Sequence, residues 1–313
     1  MKILITEPEY FPEESKRILG TIGNVVTKRL TRSELSREVC DVDILIVRIE
    51  TVIDKTIIDA AHKLKIIASA TTGLNHIDGE YAKQRGIQLI NLIGNHTTPA
   101  AEHTFALLLS LARKIPWAHA HVSSGKWERY KFFGVELDGK TLGLIGSGRI
   151  GSRVAQYAKA FGMKVLAFDP YMPKETAESA GIKLVSMEDI LKTSDFVSIH
   201  AVLTDETRGM LGKREFEKMK PSAMIINTAR AEIVNAADLV KTLENKRIAG
   251  AAFDVFEKEP AGSDDVLVKY AKTNGNLLLT PHLGASTNEA IDRASVWVAK
   301  EVVKVAKRNK TCA

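Results

Sequence analysis

The residues of this 313-residue chain that could do chemistry fall into four groups. The first is the run from Thr141 to Gly151, which contains Gly146-Ser147-Gly148-Arg149-Ile150-Gly151. Gly146 permits a tight turn. Gly148 lets backbone approach a pyrophosphate where a side chain would collide, and Gly151 lets a helix pack close to a strand. The start of that helix offers unpaired N–H groups and a partial positive charge to the phosphates. Asp169 stands at the end of the next apolar run, Val165-Leu166-Ala167-Phe168-Asp169. A carboxylate there accepts hydrogen bonds from both ribose hydroxyls of an adenosine and repels a 2′-phosphate, so the motif reads as a site for NAD rather than NADP. The other groups are polar segments that each follow a strand candidate: 226–235 with Arg230, 254–260 with Glu259, and 280–287 with His282. A lone histidine beside a proline, or a lone arginine in a loop, is ordinarily structural or solvated. Three such segments at strand ends beyond a dinucleotide turn point to a site, because open parallel sheets bind ligands outside the carboxyl ends of their strands.

The elements that must position these groups alternate along the chain. Strand candidates are 2–6, 44–47, 66–69, 88–91, 141–145, 164–168, 196–200, 224–227, 248–253 and 277–280. Amphipathic stretches lie between them at 55–62, 149–161, 187–193 and 236–246. The middle strands are continuous apolar runs, as expected of strands covered on both faces. Two long helices are predicted. One starts near Pro99 and runs through Ala112; the other spans about 287–308, with Ile291, Ala294, Val298, Val302 and Val303 on one side and Ser286 as its cap. The pattern predicts an α/β protein with two Rossmann-like domains. A doubly wound dinucleotide-binding domain, 96–284, is inserted into a flavodoxin-like domain built from 1–95 and 285–313.

Composition narrows the function classes. The net charge of +6 is diffuse, which suits a small anionic ligand and argues against nucleic acid as a partner. The two cysteines, Cys40 and Cys312, sit in no metal-ligand or disulfide spacing, so a reducing, cytoplasmic setting and no metal are expected. The opening run, Met1 to Thr6, is a strand too short for a signal peptide, and no apolar stretch has the length of a membrane span.

The polar segments, together with Gly125-Lys126-Trp127-Glu128-Arg129 and the run 133–143, resemble the signature segments of the D-isomer-specific 2-hydroxyacid dehydrogenases, most closely the D-3-phosphoglycerate dehydrogenase branch. The likeness covers nearly the whole chain. It implies an NAD-dependent enzyme passing hydride between a nicotinamide and C2 of a small D-2-hydroxy or 2-keto acid. In that likeness Arg230 holds the substrate carboxylate, where a planar guanidinium can make two parallel bonds. His282 is the acid/base that exchanges a proton with the substrate oxygen. Glu259 orients that histidine. Further cofactor contacts are implied for the backbone amides of Arg149 and Ile150, and for Thr207, Thr228, Ala229, Asp254 (near the carboxamide), Gly284 and Thr72. His200, at a strand end in the segment 200–207, is implied as a wall of the cofactor site.

On the substrate side, Gly73, Leu74 and Asn75 match the family's substrate loop, whose backbone N–H groups at Leu74 and Asn75 would share the carboxylate with Arg230. Arg48 matches an arginine aimed at phosphate in the phosphoglycerate branch, but Ser69 stands where that branch can carry a second one. Losing a charge-assisted bond costs roughly 1.5–3 kcal/mol. Arg129, contributed by a neighbouring subunit, could compensate. Ala231, Asn235 and Val202 replace the usual glycine, aspartate and proline without removing a catalytic group. Because the sequence stops soon after the last long helix, serine feedback through a C-terminal amino-acid-sensing domain is not expected. A homodimer is implied, with the helix starting near Pro99 as its contact or, equally, as a buried core helix. Glyoxylate or hydroxypyruvate reduction would use the same residues. Formate oxidation is disfavoured because Glu259 stands where that branch has glutamine. An NAD-sensing corepressor-like protein is the alternative of another class, distinguishable by binding NADH without turning it over.

Overall fold

The computed structural model describes residues 1–71, 73–92 and 96–311. The chain divides into two compact units, Met1–Asn95 with Ser286–Ala313, and His96–Ala285.

The first unit is built on five parallel strands: β1 (Lys2–Ile5), β2 (Asn24–Thr27), β3 (Ile44–Val47), β4 (Ile66–Ser69) and β5 (Gln88–Asn91). Their order is β2-β1-β3-β4-β5. This places the reversal of strand order between β1 and β3, the arrangement of a flavodoxin-like sheet. β3 and β4 are buried at every position because helices cover both faces. On one face Ile3, Ile5, Ile46 and Ala68 pack with Leu19 and with Ala294, Val298 and Val302 of the Asn288–Thr311 helix. On the other, Leu4, Leu45 and Ile67 meet Leu35, Ile57 and Ile58. Each such aliphatic side chain contributes about 1.5–3 kcal/mol when fully buried. The cap of the Asn288–Thr311 helix is Thr287 rather than Ser286: its Oγ1 accepts from the Ala290 N–H at 3.2 Å, one residue later than expected.

The second unit holds seven parallel strands: β6 (Thr141–Ile145), β7 (Lys164–Phe168), β8 (Lys183–Leu184), β9 (Phe196–Ile199), β10 (Met224–Asn227), β11 (Gly250–Phe253) and β12 (Leu277–Leu279). The order β12-β11-β10-β9-β6-β7-β8 makes a doubly wound sheet that reverses between β6 and β9. Ile145 is in register with both Phe168 and Ile199, so the carboxyl ends of β6, β7 and β9 lie side by side. The Thr97–Ala112 helix starts two residues before Pro99 and buries Phe105, Leu107, Leu108 and Leu111 in this unit's own core. It is therefore a core helix. The opposite face packs Leu191, Phe216, Leu239 and Leu243.

Two strands have no counterpart among the predicted elements. β2 and β8 are sheet edges; β2 is nowhere fully buried and β8 is two residues long. Neither carries the continuous apolar run that marks the central strands.

Candidate active site

The glycine turn leaves β6 at the switch point. Gly146 has φ 87°, and a Cβ there would lie 2.8 Å from the Ala201 nitrogen and the His200 carbonyl carbon. Only glycine fits so tight a turn beside β9. A Cβ at Gly151 would meet the Gly146 carbonyl oxygen at 2.5 Å, so the Arg149–Ala160 helix begins directly against the turn. Gly148 is different: none of the described residues lies within 4 Å of where its Cβ would be. Its glycine answers no internal crowding, and it caps the helix without any side-chain hydrogen bond. The amides of Arg149, Ile150 and Gly151 thus begin a twelve-residue helix beneath a cradle that a side chain would fill. This fits a diphosphate.

Asp169 follows β7 and is already engaged. Oδ2 accepts from the Ser147 N–H at 2.7 Å and from its hydroxyl at 3.1 Å, and Oδ1 accepts from the Tyr171 N–H at 3.0 Å. These bonds fix the carboxylate beside the glycine turn and leave lone pairs for a ligand's hydroxyls. His200 follows β9, and its Nε2 lies 2.9 Å from Ser198 Oγ. Burial pushes the imidazole down to about 4, so His200 is neutral at pH 7. Thr207 closes its own turn, accepting from the Thr204 N–H at 2.8 Å and donating to the Val202 carbonyl at 2.7 Å. Thr228 bonds Thr104, whose hydroxyl donates in turn to the Ala100 carbonyl, both at 2.7 Å.

The three polar segments leave the neighbouring strands β10, β11 and β12. After β10, the buried Asn227 side chain accepts from the Ala229 N–H at 3.0 Å and donates to the Arg230 carbonyl at 2.9 Å. It shapes the turn that carries Arg230, whose exposed guanidinium donates to the Ala229 carbonyl at 2.6 Å. After β12, His282 Nδ1 lies 2.6 Å from Glu259 Oε2, and Glu259 Oε1 accepts from the Phe256 N–H at 3.1 Å. A carboxylate partner requires the proton on Nδ1, which leaves Nε2 as the nitrogen that can exchange a proton. Solvent reaches both partners, which are 41% and 32% exposed, and weakens their mutual attraction.

Asp254 is 1% exposed and accepts four donors. Oδ1 takes the Thr280 hydroxyl at 2.5 Å, the Leu283 N–H at 2.8 Å and His103 Nε2 at 3.1 Å; Oδ2 takes the Gly284 N–H at 2.8 Å. Burial pushes this carboxyl up, but the donors His103, Thr280 and Leu283 outweigh it and hold it below the ordinary carboxylate range. Most of its acceptor capacity is spent inside the protein.

In the first unit, Arg48 follows β3. Its N–H donates to Glu7 Oε1 at 3.0 Å, and its guanidinium lies 4.9 Å from the Tyr10 ring centroid. Nη1 is buried with no acceptor among the described residues. Burial lowers the Arg48 pKa against the opposing pull of Glu7, Tyr10 and Glu50. The loop after β4 is braced by a relay. Thr71 Oγ1 donates to the Gly73 carbonyl at 2.8 Å, so Ser69 Oγ donates to Thr71 at 2.7 Å and His76 Nε2–H donates to Ser69 at 3.0 Å. Burial lowers the His76 pKa, which keeps that imidazole neutral. Leu74 is half-buried and Asn75 exposed, while Thr72 lies outside the described residues. His76, His103, Asn227 and Thr280 were not among the expected site residues. The one trace of His103 in the sequence is a polar Glu102-His103 step in an otherwise apolar helix.

Residues 105–284 match the family model described as D-isomer specific 2-hydroxyacid dehydrogenase, NAD binding domain. The chain is 44% identical over 309 residues to a D-3-phosphoglycerate dehydrogenase of Archaeoglobus fulgidus, covering 98% of this chain and 58% of that one. It thus spans a little over half the length of the curated relatives first matched. Among solved structures, the TT0316 protein from Thermus thermophilus is similar with a TM-score of 0.85 and 32% identity, over 98% of this chain and 97% of that one. A D-lactate dehydrogenase from Aquifex aeolicus, complexed with NAD and lactic acid, is similar with a TM-score of 0.81 and 27% identity, over 99% and 97%.

Proposed function

The chain belongs to the D-isomer specific 2-hydroxyacid dehydrogenase family, and from that premise we propose that it is an NAD-dependent oxidoreductase acting at C2 of a small D-2-hydroxy or 2-keto acid, with D-3-phosphoglycerate and 3-phosphohydroxypyruvate as the substrate pair. The observation that carries the reading is the His282–Glu259 pair at 2.6 Å, in the same unit as a glycine turn whose cradle fits a diphosphate. NAD, when bound, supplies the hydride acceptor and its reduced form the donor. In this proposal the amides of Arg149, Ile150 and Gly151 hold the diphosphate, Asp169 takes the adenosine ribose, and His200, Thr207, Thr228, Ala229, Asp254 and Gly284 line the remainder. Glu259 keeps the His282 proton on Nδ1, so Nε2 faces the substrate oxygen. In reduction Nε2–H protonates the oxygen on C2; in oxidation Nε2 removes that proton. Arg230 holds the carboxylate.

Substrate recognition is assigned also to Gly73, Leu74 and Asn75, and to Arg48 for a phosphate. The buried unpaired Nη1 of Arg48 supports an anion there, since a buried donor left unmatched is costly. A glyoxylate or hydroxypyruvate reductase is the second reading. It is favoured by Ser69, which is 0% exposed, bonded to a neutral His76 and without a charge for phosphate. An NADH-oxidation screen over phosphohydroxypyruvate, hydroxypyruvate, glyoxylate, pyruvate and 2-ketoglutarate decides between them. Preference for the phosphorylated acid that disappears in Arg48→Ala supports the first reading. Indifference to that substitution supports the second, and no turnover with any keto acid overturns both.

The homodimer is proposed to form through the segment 115–133, where Trp127, Tyr130 and Phe133 are 80%, 72% and 71% exposed. Such clustered aromatic exposure is costly in a monomer. Light scattering of Trp127→Glu tests this, a monomer being expected. No helix among the described residues is long and apolar enough to cross a membrane. Cytoplasmic work is proposed from the cysteine usage.

A further inference from the structure

The Thr97–Ala112 helix carries one imidazole to the base of the loop that holds His282. His103 Nε2 lies 3.1 Å from both Asp254 Oδ1 and Thr280 Oγ1. The Thr280 hydroxyl spends its only proton on Asp254 Oδ1. Both atoms facing His103 are therefore acceptors, and the proton must sit on Nε2. Asp254 in turn collects the loop's backbone. Its carbonyl oxygen accepts from the His282 N–H at 2.8 Å, and its carboxylate from the N–H groups of Leu283 and Gly284. Three consecutive amides thus end on one residue. They hold His282 at φ 53°, a left-handed conformation that costs energy for any residue with a Cβ.

We propose that His103 is a positioning residue for proton transfer: it anchors Asp254, and Asp254 fixes the backbone of residues 282–284 so that His282 is presented correctly. The proposal rests on the reading of His282 as the acid/base. His103 itself need touch no substrate. What it supplies is a donor from a helix buried in the core, tying the loop to that packed element. Without that donor Asp254 Oδ1 loses one of its three bonds, and the loop can relax out of the strained conformation. A misplacement of about 1 Å at a reacting group can cost about 100-fold in rate.

The test uses the full chain as wild type, His103→Leu and His103→Gln, the glutamine offering an N–H at comparable reach. Three quantities are measured: kcat with the keto acid that the wild type reduces fastest, the NADH dissociation constant by fluorescence, and hydrogen exchange at the amides of 282–284. His103→Leu should lower kcat by about 10- to 100-fold, change NADH affinity by a smaller factor than kcat, since Asp254 and Gly284 are themselves assigned to the cofactor site, and speed exchange at Leu283 and Gly284. His103→Gln should recover most of the turnover and the protection. Should His103→Leu not fold, His103→Asn replaces it, because its shorter amide falls short of Asp254. Wild-type turnover in the leucine variant, lost turnover with unchanged exchange, or glutamine no better than leucine would each overturn the proposal. If the wild type reduces no keto acid, the acid/base reading fails on its own, and exchange at 282–284 still decides whether His103 holds the loop.

Discussion

Replacing Asp254 by asparagine puts an NH2 group among donors. If the new nitrogen takes the Oδ2 position, it faces the Gly284 N–H; in the Oδ1 position it faces Leu283, Thr280 and His103 together. The cheaper orientation orphans one buried amide, about 1–3 kcal/mol. It also reduces the three bonds at Oδ1 from charge-assisted to neutral strength, roughly half. The sum is about 3–7 kcal/mol, at or above the cost of removing one partner of a buried charge pair. For a unit of this size that lowers the melting temperature by about 6–28 °C. The sign with pH follows from the depressed Asp254 pKa, held down by its donors despite burial. A carboxyl whose folded pKa is lowered gives its full contribution above the unfolded value of about 3.9 and loses it as pH falls through the folded value. The stability gap between wild type and Asp254→Asn should therefore be constant from neutral pH to about pH 5 and close in acid. Urea titrations across that range measure it. A variant that melts within about 2 °C of wild type, which corresponds to under 1 kcal/mol, would refute the claim that this carboxylate organises the loop.

Other outcomes follow from the same geometry. His282→Ala should lower kcat by about 100-fold or more while NADH binding measured by fluorescence is retained. Asp169→Ser should remove the charge that repels a 2′-phosphate and raise the ratio of NADPH to NADH efficiency in steady-state assays; an unchanged ratio would count against the carboxylate's role. His200 is depressed to about 4 by burial. The unfolded chain therefore binds its proton first as pH falls, so stability is full above about 6.5 and declines toward 4 by about 2–3 kcal/mol. His200→Gln should flatten that part of the stability–pH curve.

The central strands could be read as continuous apolar runs because both sheets are covered on two faces, and β3, β4 and β9 to β11 are buried at every position. β2 and β8 could not, since β2 carries only two apolar residues, Val25 and Val26, and β8 is two residues long. The glycine turn was legible for a local reason. Gly146 and Gly151 meet only the same turn or the adjoining strand end, and Gly148 is defined by open space that a side chain would occupy. Arg230, Glu259 and His282 could be singled out as polar groups at strand ends.

What sequence spacing alone determined, then, was the set of short-range devices: the central strand cores, the glycine turn and the candidate polar side chains at strand ends. Tertiary structure alone decided what holds them. His103 and Asp254 are 151 positions apart, and Ser69 and His76 meet only because the chain turns back after β4. Hydrogen bonds between distant residues leave no periodicity in a sequence. They exist only once the packed sheet has brought its strand ends to one edge.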